Sequence, residues 1–112
     1  MPVLNLHTNV TIRDKELLVT QTSSLVAEVL GKPEGYVMVR ISDNEVMSFA
    51  GTTEPLAYVE LKSLGLSGEQ TAELSDTICT FIGKNLCITA ARIYIEFASP
   101  EREMFGWNKG TF

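Results

Sequence analysis

The residue with the most distinctive chemistry is Pro2, which follows Met1 and opens an alternating, strand-like stretch. Within most elements proline is a poor choice, because its ring fixes φ and it lacks an amide hydrogen. At an N-terminus from which Met1 has been removed, the same ring makes a compact, conformationally locked secondary amine. An unperturbed α-amino group titrates at roughly 7.7–8.0, so a modest downward shift leaves it mostly neutral at pH 7. A neutral amine is what general-base chemistry needs. The competing reading is that Pro2 is simply the second residue of an ordinary chain. Other reactive side chains are sparse. Cys79 and Cys87 stand eight apart without a histidine partner, which is neither a CxxC nor a zinc spacing, and both read as small apolar residues in or near a helix. His7 is the single histidine and reads as a surface or hydrogen-bonded side chain. No metal is expected.

The composition bounds the remaining classes. At 112 residues, 45% apolar and 21% charged, the chain is expected to form one domain over residues 1–112. A net charge of −5 and nine scattered basic residues argue against nucleic acid, which requires clustered Lys and Arg. No apolar run approaches the ~18 residues of a membrane span, and the N-terminal stretch lacks the layout of a signal peptide. A reduced, cytoplasmic compartment is the expectation.

The elements that must position Pro2 repeat. A shift of 56 residues, half the chain, brings Leu18 onto Leu74, Leu25 onto Phe81, Val26 onto Ile82 and Leu30 onto Leu86. It also brings Val37 onto Ile93, Val39 onto Ile95 and Ile41 onto Phe97. The first four pairs have helical spacing and the last three alternate with period two. The chain therefore reads as a repeat of strand, helix and strand, about 1–56 and 57–112. Strands are expected at Val3–Val10, Tyr36–Ser42, Leu56–Lys62 and Arg92–Ala98, with a short one near Phe105–Asn108. One helix is expected from Asp14, a plausible N-cap, to Leu30, with Gly31 at its C-terminal cap and Pro33 beyond. A second is expected from Ser67 to Asn85 or Leu86, opened by a Ser67–Gln70 capping box.

These units predict an α+β fold: a four-stranded mixed sheet with two helices on one face. Val37, Val39, Ile41, Ile93, Ile95 and Phe97 then face the helices. Met38, Arg40, Tyr58, Glu60, Tyr94 and Glu96 occupy the opposite face. A chain this short has no third layer to cover that face, so a closed homo-oligomer is expected.

Met1-Pro2, Thr8-Asn9-Val10, Gly31-Lys32-Pro33, Met47 through Pro55 (MSFAGTTEP), Ser63-Leu64-Gly65, Arg92-Ile93-Tyr94-Ile95, Gly106-Trp107-Asn108 and Thr111-Phe112 form an ordered set. It resembles the macrophage migration inhibitory factor family of the tautomerase superfamily along essentially the whole chain. The resemblance implies a homotrimer of duplicated β-α-β subunits with active sites between subunits and no cofactor. It implies keto–enol tautomerisation of phenylpyruvate-type α-keto acids and of dopachrome-like compounds, with the N-terminal proline as acid and base. By the same resemblance Pro2 is catalytic, Lys32 holds the substrate carboxylate and Leu64 contacts substrate through its backbone. Tyr94 arrives from a neighbouring subunit, and Met38, Phe105 and Phe112 form apolar walls, although packing alone also accounts for the aromatic residues.

Three departures bear on that transfer. The CxxC pair to which thiol oxidoreductase activity is attributed in the family is replaced by Leu56-Ala57-Tyr58-Val59, so that activity is expected to be absent. Glu96 stands where the family carries asparagine, and an anion near Pro2 would favour its protonated form and repel a keto acid. Such a pair at 4 Å is worth up to about 4 kcal/mol at an effective dielectric of 20, so weak activity is expected unless Arg40, Lys32 or another cation offsets it. A retained Met1 would make the Pro2 nitrogen a tertiary amide and no base. Two further readings stay open: a cytokine-like interaction factor, released without a signal peptide, in which the tautomerase site is vestigial; and another superfamily reaction, decarboxylation or dehalogenation, on the same scaffold.

Overall fold

The computed structural model describes residues 1–112, and its elements run strand, helix, strand twice. β1 (Val3–Thr8), α1 (Lys15–Leu30) and β2 (Met38–Ser42) form the first unit; β3 (Ala57–Lys62), α2 (Gly68–Leu86) and β4 (Ile93–Ala98) form the second. The sheet order is β2-β1-β3-β4. β1 pairs β2 in parallel, β3 pairs β4 in parallel, and β1 and β3 join the halves antiparallel. The sheet is therefore mixed, as expected.

Alternation assigns its two faces. Leu4 and Leu6 of β1, Val59 and Leu61 of β3 and Ile93 of β4 are buried beneath Val26 of α1 and Ile78 and Ile82 of α2. Each fully buried Leu or Ile side chain is worth roughly 1.5–3 kcal/mol against exposure. Of the residues aligned by the 56-residue shift, Leu25 is the one that stays outside this core. Thr22, one turn before Val26, is buried in α1 because its hydroxyl donates to the Leu18 carbonyl at 2.7 Å.

The helix ends follow local chemistry. The Asp14 side chain accepts from the Leu17 amide, and Ser67 with Gln70 forms the capping box. Gly31 takes φ 62° at the end of α1, and the Lys32 amide closes the turn on Ala27 O at 3.0 Å. Four strand limits differ from the sequence reading, and the smallest difference is in β3, which begins at Ala57 rather than Leu56. β1 stops at Thr8 rather than Val10, because the Thr8 hydroxyl turns onto Leu56 O and accepts from the Val10 amide. Tyr36 lies in a 3₁₀ turn, Glu34–Tyr36, ahead of β2, and Arg92 ends the matching turn, Ala90–Arg92, ahead of β4. The tail is a small hairpin of β5 (Gly106–Trp107) and β6 (Gly110–Thr111). Asn108 and Lys109 between them both take positive φ, the requirement of a tight type I′ turn.

Candidate functional site

The end of the sheet where β1 begins carries a cleft of about 710 Å³. Three turns deliver its polar groups. The closing turn of α1 presents Lys32, the turn after β3 presents Ser63, Leu64 and Gly65, and the C-terminal hairpin brings Trp107, Thr111 and Phe112 across the opening. Gly65 adopts φ 75°, a value that suits glycine. Lys32 Nζ donates to the Leu64 carbonyl at 2.7 Å, so the ammonium is fixed against the turn with two further donors to offer. Trp107 and Phe112 stack with centroids 5.3 Å apart, and Tyr36 meets Phe112 edge-on at 6.0 Å.

Met1 lines this cleft and also a neighbouring one of about 250 Å³ bounded by Val3, Met38, Phe105, Trp107 and Phe112. It is itself 7% exposed, and Pro2 behind it is fully buried, its carbonyl accepting from the Met38 amide at 2.9 Å. Burial, then the charges of Lys32 and Arg102, holds the Met1 amino group below the ordinary α-amine range.

The structure thus brings Lys32, Leu64 and Phe112 together around the N-terminus, with Met38 and Phe105 in the adjoining cleft. It does not bring Tyr94 or Glu96 there. Tyr94 pairs across β3 with the row of His7, and Glu96 with the row of Asn5. At ~3.3 Å per residue and ~4.8 Å per strand these rows lie roughly 19 Å and 14 Å from Pro2. Both side chains also stand on the open face, where Tyr94 is 65% exposed. Within one subunit neither reaches the cleft.

The open face is acidic around Glu96. Glu60 is its register partner and the Tyr58 hydroxyl donates to it at 3.3 Å. Burial, then Glu96 and Glu60, pushes the Tyr58 phenol above its usual range. Arg40, considered as a counter-charge, lies three strands away, beyond Asn5 and Glu60. His7 is held by Glu45 at 2.6 Å.

Two motif stretches prove to be a brace. Arg92 donates to four backbone carbonyls, Pro55 at 3.0 Å, Phe49 at 3.1 Å, Thr52 at 3.3 Å and Glu54 at 3.1 Å. Its guanidinium also covers the Phe49 ring, which meets Tyr94 edge-on at 4.7 Å. Asn9 holds the same loop through Thr53 O and the Leu56 amide.

Sequence reading missed Arg102, Tyr36 and Ser63 at the cleft. Ser63 is 1% exposed and its hydroxyl has no partner; it adjoins Leu64 in the quoted triplet, which was the available signal. No spacing marks Arg102, which lies in the turn Arg102–Met104 ahead of the hairpin and donates to Phe112 O where the hairpin returns. No helix is long and apolar enough to cross a membrane.

The family profile described as Macrophage migration inhibitory factor (MIF) matches residues 1–112. The chain is 35% identical to the macrophage migration inhibitory factor of Xenopus tropicalis over all of this chain and 99% of that one. It is 34% identical to the homolog of Trichinella spiralis over the full length of both. Among solved structures, the homologue from Prochlorococcus marinus superposes with a TM-score of 0.93 at 44% identity, covering 98% of each chain. This chain belongs to the macrophage migration inhibitory factor family.

Proposed function

We propose that the protein is a keto–enol tautomerase of phenylpyruvate-type α-keto acids, with Pro2 as acid and base once Met1 is removed. The observation that carries this reading is the cleft itself. It sets a buried N-terminus, an anchored ammonium with donors to spare and an aromatic wall around one space. The burial and the charges of Lys32 and Arg102 that depress the Met1 amine also surround the Pro2 position, and they disfavour the protonated form of an amine placed there.

The chemistry follows from those groups. Lys32 holds the substrate carboxylate and stabilises negative charge as it develops on the enolate. The neutral Pro2 nitrogen takes a proton from the carbon next to the ketone, and the C–H electron pair becomes the C=C bond. The carbonyl π pair moves onto the ketone oxygen, the Pro2 ammonium just formed delivers its proton to that oxygen, and the neutral amine is restored; the reverse direction moves the enol proton through Pro2 back to carbon. The aromatic side chains of Tyr36, Trp107 and Phe112 pack on the aryl group.

The working assembly in this reading is a homotrimer. The open sheet face, with Met38 58% and Tyr94 65% exposed, is apolar enough to need cover, and a neighbouring subunit is how Tyr94 and Glu96 reach a cleft their own subunit denies them. The test is phenylpyruvate tautomerisation by protein whose mass shows that it begins at Pro2, beside protein retaining Met1 and the Pro2→Gly variant. Turnover confined to the first supports the reading; equal rates in all three reject it.

A further inference from the structure

The charge of the cleft runs against that of the chain. The protein carries a net charge of −5, yet the cleft is lined by two cations, Lys32 and Arg102, and by no Asp or Glu. The side-chain ion pairs of the fold are His7 with Glu45 and Glu60, and Lys15 with Asp43; neither cleft cation pairs with an Asp or Glu side chain. Each is anchored on a backbone oxygen, Lys32 Nζ on that of Leu64 and Arg102 Nε on that of the last residue, Phe112, at 3.0 Å. Arg102 therefore keeps both terminal nitrogens free, beside the stack of Phe112 on Trp107. A planar fork held in this way suits a carboxylate bidentately. A simple arylpyruvate has one carboxylate and offers nothing to the two open nitrogens of Arg102.

Resting on the tautomerase reading, we infer that Arg102 is a specificity residue for α-keto acids that carry a second carboxylate. Lys32 takes the carboxylate beside the ketone, the wall of Tyr36, Trp107 and Phe112 covers the body of the substrate, and Arg102 receives the distal carboxylate. Arg102 is exposed, so the distal contact sits at the mouth of the cleft and responds to salt.

The test compares phenylpyruvate with 4-carboxyphenylpyruvate, which adds only the second charge, using protein that begins at Pro2. The wild type is expected to favour the dianion about tenfold in kcat/KM, chiefly through KM, as one charge-assisted hydrogen-bonded contact allows. That preference shrinks as salt is raised. Arg102→Gln abolishes it, and Arg102→Lys keeps only part, because an ammonium lacks the fork. The readout is the ratio of the two kcat/KM values, since Arg102 also acts on the N-terminal amine and both rates move with that. A wild type without preference overturns the inference while leaving the tautomerase reading intact. So does an unchanged ratio in Arg102→Gln, which would make Arg102 only a strut for the C-terminal residue. Turnover of neither substrate rejects the tautomerase reading and the inference with it.

Discussion

Arg92 offers the sharpest quantitative expectation, because its neighbours are enumerated. Replacing it with alanine removes donors from the carbonyls of Phe49, Thr52, Glu54 and Pro55, all within 3.3 Å, and a guanidinium 5.3 Å from the Phe49 ring. A hydrogen bond contributes about 0.5–1.5 kcal/mol net, and these carbonyls lie where water can replace the lost donor, so the lower half of that range applies. A partly exposed cation–π contact adds about 0.5–1 kcal/mol. Arg92→Ala should therefore cost about 2.5–5 kcal/mol. Urea unfolding at a fixed protein concentration is the appropriate assay, because any self-association would make stability depend on concentration. The midpoint should fall with an unchanged slope. Arg92→Lys should recover less than half of the loss, since one ammonium cannot serve four carbonyls. A loss under about 0.5 kcal/mol for Arg92→Ala would refute the view that this side chain braces the loop.

Other expectations follow from single contacts. If a neighbouring subunit completes the cleft as proposed, Glu96→Asn should raise phenylpyruvate turnover by removing an anion from it, and in any case it should lower the Tyr58 pKa in a spectrophotometric titration; an unchanged or slower rate counts against the first. The Ile12 amide holds the Asp43 carboxyl below its usual range, with help from Lys15 and against partial desolvation. A depressed folded pKa stabilises above the unfolded value, about 3.9, and that contribution is lost as pH falls through the folded value. Asp43→Asn should therefore lower Tm at pH 7, and the gap to wild type should close in strong acid. Gly83→Ala should lower Tm although alanine is the better helix former by about 1 kcal/mol, because its Cβ would meet Ile88 O at 2.8 Å; a higher Tm would contradict this.

Much of the architecture was legible because it is written in periodicity. The apolar register survives the change from helix to strand, and Asp14, Gly31 and the Ser67–Gln70 pair mark helix ends with their own side chains. Strand limits were less legible where a side chain competes with the ladder, as Thr8 does at the end of β1. Lys32 and Leu64 were found through the family pattern, and their contact through space has no local trace 32 residues apart. Arg102 could not be found from spacing, since its contact with Phe112, ten residues on, exists only because the hairpin brings the last residue back beside it. Conversely, Asn9 and Arg92 stand in motifs that look functional, yet their side chains are spent on holding a loop.

The central claim concerns one nitrogen. Titrating the ¹⁵N resonance of Pro2 in protein that begins at that residue, alongside kcat/KM for phenylpyruvate, tests it most directly. The account predicts a Pro2 pKa below the ordinary α-amine range, with activity rising as pH passes through that value and then levelling. A Pro2 amine that titrates at or above 8.0, the ordinary value, or activity that does not follow its titration, would contradict it.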